Sequence, residues 1–254
     1  MSKGLSTLLL FAATVAASCG SYRQVPYFQD VDRSNGRKEV IQNYSLITIQ
    51  PEDILDINVS SLNAEASAVF NSNNIQRAAG SSQDVTPTGY IVDQKGEIHF
   101  PLLGTIKTSG KTTFQLREEI RNQLKTYLTD PVVNIRFLNF RISVMGDVMN
   151  PGVYSIPNQR ITITEALSMA GDLNITAKRT NVLLIRERDG NREFIPLDLT
   201  SRKIFESTYY YLKNNDLIYV QPDRTRYATV ERSYRNISLL LSAASIAAII
   251  ITRN

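Results

Sequence analysis

Apolar positions along this chain follow three rhythms. At the amino end one basic residue, Lys3, precedes an apolar run over 8–17. That run is too short for a comfortable membrane span and fits the hydrophobic region of a secretory signal. Over 44–59 the rhythm is two residues: Leu46 and Ile49 flank Thr48, and Leu55, Ile57 and Val59 alternate with polar neighbours. Strands separated by Pro51-Glu52-Asp53 are predicted there. Positions 60–88 are rich in Ser, Asn, Ala and Gln, lack periodicity, and predict a long loop or insertion with no chemistry assigned. Strand signals resume over 89–93, turn near Gly96 and continue through Ile98-His99-Phe100-Pro101. The period then becomes helical over 113–128. Leu116, Ile120, Leu124 and Tyr127 share one face, opposite Arg117, Glu118, Arg121 and Lys125. Thr112 and Gln115 supply a capping box, Asp130-Pro131 stops the helix, and 132–136 predicts a strand.

Fifty residues further on the pattern partly repeats. Gly96, Pro101, Thr112, Ile135 and Arg136 map onto Gly146, Pro151, Thr162, Ile185 and Arg186, and Thr162 with Glu165 forms a second capping box. A structural repeat of strand–turn–strand–helix–strand is expected, the second helix being shorter and ending at Gly171. Further strands are predicted over 194–197 and 217–220. The fold class expected is α+β, with small β-rich domains over 44–138 and 139–222.

A second unbroken run, without charge, follows over 237–251. Counted through Thr252 it is sixteen residues, about 24 Å of helix at 1.5 Å per residue. That falls short of a typical bilayer core but suits the thinner bacterial outer membrane. Residues 223–236 form a membrane-proximal linker, in which Tyr227, Tyr234, Arg232 and Arg235 suit an interface. Inside the segment Ser238, Ser242 and Ser245 follow i, i+4, i+7 spacing, and Thr252 extends the line after an interruption at Ile249. Three readings stand level on the pattern: hydroxyls lining a wet pore, small residues packing helices closely, or a lone anchor helix.

Composition narrows the chemistry. Among 254 residues there are one histidine, one cysteine and no tryptophan. No intrachain disulfide can form, a four-ligand zinc site is out of reach, and a Ser-His-Asp triad would have to use His99. His99 sits in an alternating strand, where a structural, half-exposed imidazole is expected. Asp53, Asp56, Asp93 and Asp130 could supply a carboxylate pair for glycoside hydrolysis, but each is placed at a turn or strand end by its neighbours. No phosphate-cradling glycine loop is present, and a net charge of +4 without stacking modules does not indicate nucleic acid. The lone Cys19 follows Ala16, Ala17 and Ser18 and precedes Gly20. This resembles a lipobox, with 1–18 the signal peptide, Cys19 the lipidated first residue and 19–43 a tether; an ordinary cleaved signal with a coincidental cysteine is the alternative. One acyl chain anchors marginally, two or three stably.

Several motifs then carry a family resemblance. Tyr44 and Ile47 lead to Pro51-Glu52-Asp53-x-Leu55-x-Ile57-x-Val59, with Glu52 where Pro-Gly-Asp is usual. Asp93-x-x-Gly96-x-Ile98-x-Phe100-Pro101-x-x-Gly104 precedes Tyr127-x-x-Asp130-Pro131-x-Val133. Val144-x-Gly146-x-Val148-x-x-Pro151-Gly152-x-Tyr154 comes before Glu165-Ala166-Leu167 and Ala170-Gly171. In order and spacing the chain resembles the polysaccharide biosynthesis/export family of outer-membrane lipoproteins, from Cys19 to the carboxyl end. The resemblance implies a β-grasp second domain for soluble ligands, one fewer such domain than in larger members, and no enzymatic activity. It also implies a ring of copies, by resemblance an octamer, whose carboxyl helices form a pore through the outer membrane for capsular polysaccharide or exopolysaccharide. Ser238, Ser242, Ser245 and Thr252 would line that pore, and Tyr227, Tyr234 and Arg235 would sit at its membrane interface. The bulk of the chain would be periplasmic and the carboxyl terminus outside. An inner-membrane co-polymerase, often a tyrosine autokinase, is the implied partner; no cofactor beyond the lipid on Cys19 and no nucleic acid are expected. Two rivals are a membrane-anchored saccharide-binding module without a pore and a periplasmic carbohydrate-active enzyme using paired aspartates.

Overall fold

A computed structural model describes residues 25–36, 38–41, 43, 46–71, 89–188, 190–223, 226, 238–242 and 245. The first unit runs β1 (Ile54–Ser60), α1 (Ala64–Ala68), β2 (Tyr90–Ile91), β3 (Glu97–Phe100), β4 (Gly104–Lys107), α2 (Thr113–Leu124) and β5 (Val132–Phe137). The second runs β6 (Arg141–Gly146), β7 (Gly152–Ser155), α3 (Ile163–Met169), β8 (Ala177–Arg188), β9 (Asn191–Leu197), a 3-10 turn (Arg202–Glu206) and β10 (Leu217–Pro222). The architecture is α+β with two β-rich units.

In the first unit β1 is the middle of a three-stranded antiparallel sheet, β2-β1-β5, because Leu55, Ile57 and Val59 alternate inward. Its register against β5 runs from Leu55 opposite Phe137 to Ser60 opposite Val132. Helix α2 buries Leu116, Ile120 and Leu124, and both hydrogen bonds of its Thr112–Gln115 capping box form. Tyr127 departs from the expected face. The helix ends at Leu124, so Tyr127 lies past the last regular turn and is exposed. Residues 46–50 form no extended strand either: Thr48 makes one isolated bridge to Thr112 before the chain turns at Glu52, whose φ is +72°.

The expected loop over 60–88 contains structure at its start. Asn63 caps the short α1 by accepting from the Ala66 amide, Phe70 is buried, and the Asn71 amide pairs with both backbone groups of Val59. Polar side chains here take backbone partners, which hydrophobic periodicity cannot register. Residues 72–88 lie outside the described residues.

The second unit is a mixed five-stranded sheet in the order β7-β6-β10-β8-β9. The last strand enters the centre, parallel to β6 and antiparallel to β8, with α3 on one face. The parallel pair of β6 and β10 lies at the centre, with β7 paired on the outer side of β6 and the β8–β9 hairpin paired on the other side of β10. Thr162 and Glu165 complete the second capping box. The fifty-residue echo therefore holds for local signals and not for pairing. β5 pairs with β1, whereas its counterpart β8 lies between β10 and β9.

The two units share one hydrophobic core, reaching from Ile49 to Val220. Between Phe137 and Arg141 the connection is short, and within it Phe140 is buried and the Leu138 amide donates to Ile54 O at 2.8 Å. Gln159 of the second unit accepts from Thr113 at 3.1 Å and donates to Ile135 O at 3.2 Å.

Candidate functional site

The carboxyl-terminal stripe is the first candidate. Residues 238–242 and 245 are helical and exposed. Ser242 Oγ donates to Ser238 O at 2.9 Å, and Ser245 Oγ donates to Ser242 O at 2.8 Å. Each of these hydroxyl protons is thus satisfied within the helix, and each oxygen keeps lone pairs for an outside donor. Leu239, Leu240 and Leu241 are each more than half exposed beside them. No helix among the described residues is long and apolar enough to cross a membrane. Cys19, Tyr227, Tyr234, Arg235 and Thr252 lie outside the described residues.

Both chain ends that lead toward these features are fastened to the second unit. On the amino side, the Phe28 and Gln29 amides donate to Leu199 O and Thr200 O. Tyr27 donates to Asp172 while its ring lies under the buried Arg179 guanidinium, 5.3 Å from ring centre to charge. Burial, then the hydrogen bond and charge of Asp172, push the Tyr27 phenol well above its ordinary range. Phe28 packs on Phe205 with ring centroids 4.8 Å apart, and Asp30 accepts from Ser201 Oγ and the Arg202 amide. Asn43 donates to Phe205 O and Ser207 O. Part of the expected tether is therefore a docked strap. Its signal in the sequence is the Tyr27-Phe28 pair standing in a polar stretch.

On the carboxyl side, Asp147 is fully buried and accepts from Asn174 at 2.8 Å, from Thr176 Oγ1 at 2.6 Å and from the Arg226 guanidinium. Arg226 lies four residues past β10, so this carboxylate holds the chain where it leaves the sheet. A buried ion pair closes the sheet's other end. Arg186 donates to Asp216 through Nε at 2.8 Å and through a terminal nitrogen at 2.6 Å, and to Tyr211 O at 3.3 Å.

At the junction of the two units lies an open polar cleft of about 600 Å³, lined among others by Glu52, Asp53, Arg188, Arg192, Lys213 and Asn214. Desolvation, reinforced by the charges of Arg186 and Arg188, lowers the Lys213 pKa below its ordinary value. Burial raises that of Asp53 against the opposing hydrogen bonds from the Gln50 amide and Asn214. Such a lining can exchange hydrogen bonds with a hydroxyl-rich ligand.

The four aspartates considered for acid–base chemistry have other partners. Asp53 accepts from the Gln50 amide and from Asn214, both at 2.8 Å, and Asp93 accepts from the Glu97 amide at 2.8 Å. Asp56 faces Arg136 at 3.6 Å, and Asp130 occupies a turn with φ +48°. Asp56 corrects the expectation of a strand-end position: it stands inside β1 and is buried. His99 is exposed on β3, with Nδ1 3.1 Å from Thr105 Oγ1.

Comparison with known proteins gives this geometry a context. The family described as "Polysaccharide biosynthesis/export protein" matches residues 42–138, and the SLBB domain matches residues 141–220. The EPS I polysaccharide export outer membrane protein EpsA of Ralstonia solanacearum is 31% identical over 153 residues, covering 56% of this chain and 40% of that protein. The exopolysaccharide production protein ExoF of Rhizobium meliloti is 31% identical over 105 residues, covering 39% of this chain and 24% of that protein. The capsule polysaccharide export outer membrane protein CtrA of Neisseria meningitidis is 26% identical over 147 residues, 55% of this chain and 36% of that protein. The chain thus spans less than half the length of the curated relatives it matches. With both domains in tandem and in this order, the chain belongs to the polysaccharide biosynthesis/export protein family.

Proposed function

We propose that this protein is an outer-membrane export component that passes capsular polysaccharide or exopolysaccharide from the periplasm to the cell surface without chemical change. The observation that carries the reading is the tandem of an export domain and an SLBB domain in one chain, together with its similarity to relatives named for polysaccharide export. In this reading Cys19 carries the lipid anchor, the two units stand in the periplasm, and the segment over 237–252 crosses the outer membrane with its carboxyl end outside. Copies assemble into a closed ring, and Ser238, Ser242, Ser245 and Thr252 face its lumen. A ring removes a hydroxyl stripe from contact with lipid, which a lone helix cannot do. Back-bonded serines support this reading, because they offer sugars weak acceptors instead of sticky donors. Tyr227, Tyr234 and Arg235 hold the interface, and an inner-membrane co-polymerase or tyrosine autokinase delivers the polymer.

Mass measurement of the full chain extracted in mild detergent tests the assembly, for which one large species is expected. Removal of 237–254 tests the pore: export is lost entirely while the two units remain folded. A monomer in mild detergent, or export surviving the truncation, overturns the channel. The polar junction cleft favours one alternative, an anchored saccharide-binding module, which predicts that the truncated protein keeps its affinity for the polymer in solution.

A further inference from the structure

The open cleft of about 600 Å³ at the junction has one wall from each unit, and the two walls differ in chemistry. The first unit contributes the turn that carries Glu52 and Asp53; the second contributes cations from β8, from β9 and from the turn before β10. Asn214 ties the walls together, donating to Asp53 at 2.8 Å while it accepts from the Arg141 amide at 3.0 Å. A cleft of this volume falls within the range of small-ligand sites. Most charges in it are spent on neighbours. Asp216 holds Arg186 through two nitrogens, Glu187 holds Arg192, and Asp53 takes the Gln50 amide as well as Asn214.

Lys213 is different. Its backbone amide is bound to Asp216, but among the described residues its half-buried ammonium has neither a hydrogen bond nor an ion pair. Desolvation and the charges of Arg186 and Arg188 outweigh the pull of Asp216 and Glu193 there, which lowers the pKa. An ammonium in a field of its own sign gains from any anion that reaches it. Arg188, exposed at the end of β8 on the same cleft, adds a planar guanidinium, the group best shaped for a carboxylate. Glu52 stands on the other wall with a φ of +72°, a left-handed conformation that glycine adopts freely and a side chain adopts at a cost. The turn itself needs no carboxylate, yet one is held exposed on the cleft, and strain retained at a cleft residue points to use. A simple anion would meet repulsion from Glu52, whereas a sugar hydroxyl donates to it. The walls together suit a ligand with hydroxyl donors on one side and a carboxylate on the other.

We propose that the junction cleft binds an acidic saccharide, whose carboxylate is received by Lys213 and Arg188 and whose hydroxyls are received by Glu52. The proposal rests on the export reading in taking the transported polymer as the occupant, and it names that polymer as one bearing carboxylates; the site itself does not depend on that reading.

Calorimetric titration of the full chain in mild detergent tests the proposal, with oligogalacturonate, its neutral methyl ester and inorganic phosphate as the probes. Oligogalacturonate is expected to bind about tenfold more tightly than the ester, and phosphate is not expected to displace it. Lys213→Gln and Arg188→Gln should each weaken the acid about tenfold and leave the ester unchanged, while Lys213→Arg keeps the preference. Glu52→Gly relieves the turn, so it should melt no lower than the parent and yet weaken acid and ester alike. Equal affinity for acid and ester, binding unchanged in both glutamine variants, or no binding of oligogalacturonate overturns the site. Phosphate competing at the oligomer's own affinity makes it a free-anion site, and a Glu52→Gly protein that binds like its parent removes the hydroxyl wall; each overturns the proposal. Failure here is distinct from failure of the channel. Lost binding with export abolished by removal of 237–254 leaves the channel standing, and intact binding with export surviving that removal overturns the channel alone.

Discussion

Gly146 is the residue on which the second unit closes. Its φ is +98°, and a Cβ built there would stand 2.0 Å from the Val220 carbonyl oxygen. The same carbonyl accepts the Asp147 amide at 2.8 Å, so the close approach of β6 to β10 also seats the buried carboxylate that holds Arg226. Because the opposing atom is backbone, no rotamer change relieves the clash. Gly146→Ala is expected to cost about 3 kcal/mol or more in chemical denaturation. Gly152, with open space around its Cβ and no positive φ, provides the control, and its alanine variant is expected to stay within about 0.5 kcal/mol. A Gly146→Ala protein as stable as its parent would show that the strand pair yields. Asp53 makes a second prediction at this scale. Burial raises its pKa above 3.8 even though the Gln50 amide and Asn214 favour the carboxylate. A raised acid stabilises the fold below its unfolded pKa and loses that contribution as pH rises through the folded value. The stability of Asp53→Asn relative to the parent is therefore expected to increase from about pH 4 upward and level off once Asp53 is ionised. Paired urea titrations across that range check it, and a difference independent of pH sinks the assignment.

Elements differ in how far the sequence discloses them, and the difference follows the distance to the partner. Both capping boxes are legible because donor and acceptor lie three residues apart, and the strands of β1 and β5 are legible because one buried face imposes alternation. The central place of β10 is not, since its partners β6 and β8 are set by the closure of the whole sheet. Tyr127 misleads for a related reason: it continues the helical period although the helix has ended. The strap is the clearest case. Tyr27 meets Asp172 and Arg179, some 145 and 152 positions away, and nothing in the local pattern announces them. Of the candidate site, the serine stripe is legible from spacing, but the return of its hydroxyls to the helix backbone needs coordinates. Tyr27→Phe keeps the ring under Arg179 and removes the bond to Asp172. Hydrogen exchange of the Phe28 and Gln29 amides is expected to quicken by about 1 kcal/mol in protection, with the amides of β6 and β10 unchanged. Unaltered exchange at both amides would assign the docking to Phe28 and Asp30 instead. The raised Tyr27 pKa gives the same contact a pH signature. Docking is fully present below the ordinary phenol value of 10.0 and weakens only as pH rises through the higher folded value.

At the scale of the molecule, the two units are joined as one body more than as two domains on a linker. Three residues connect β5 to β6, and one of them, Phe140, is inserted in the common core with its ring 6.3 Å from that of Phe137. Asn139 accepts from the Ile54 amide and donates to Glu52 O, and Asn214 reaches Asp53, so both ends of the junction are hydrogen-bonded. Gln159 crosses between Thr113 and Ile135. A shared apolar core gives neither unit a stable state with the other unfolded, because separating them exposes Phe137, Phe140 and Ile142 together. Calorimetry of the detergent-solubilised chain is expected to record the two units as a single transition. Removing 237–254 should leave that transition in place, since the segment lies beyond the junction. Gln159→Ala should lower its midpoint by the few degrees that about 1 kcal/mol produces in a chain of this length, without splitting it. Two separate transitions, in the parent or in the Gln159 variant, would mean that the junction is a hinge. Units that move as one body carry the strap and the exit of β10 in a constant arrangement.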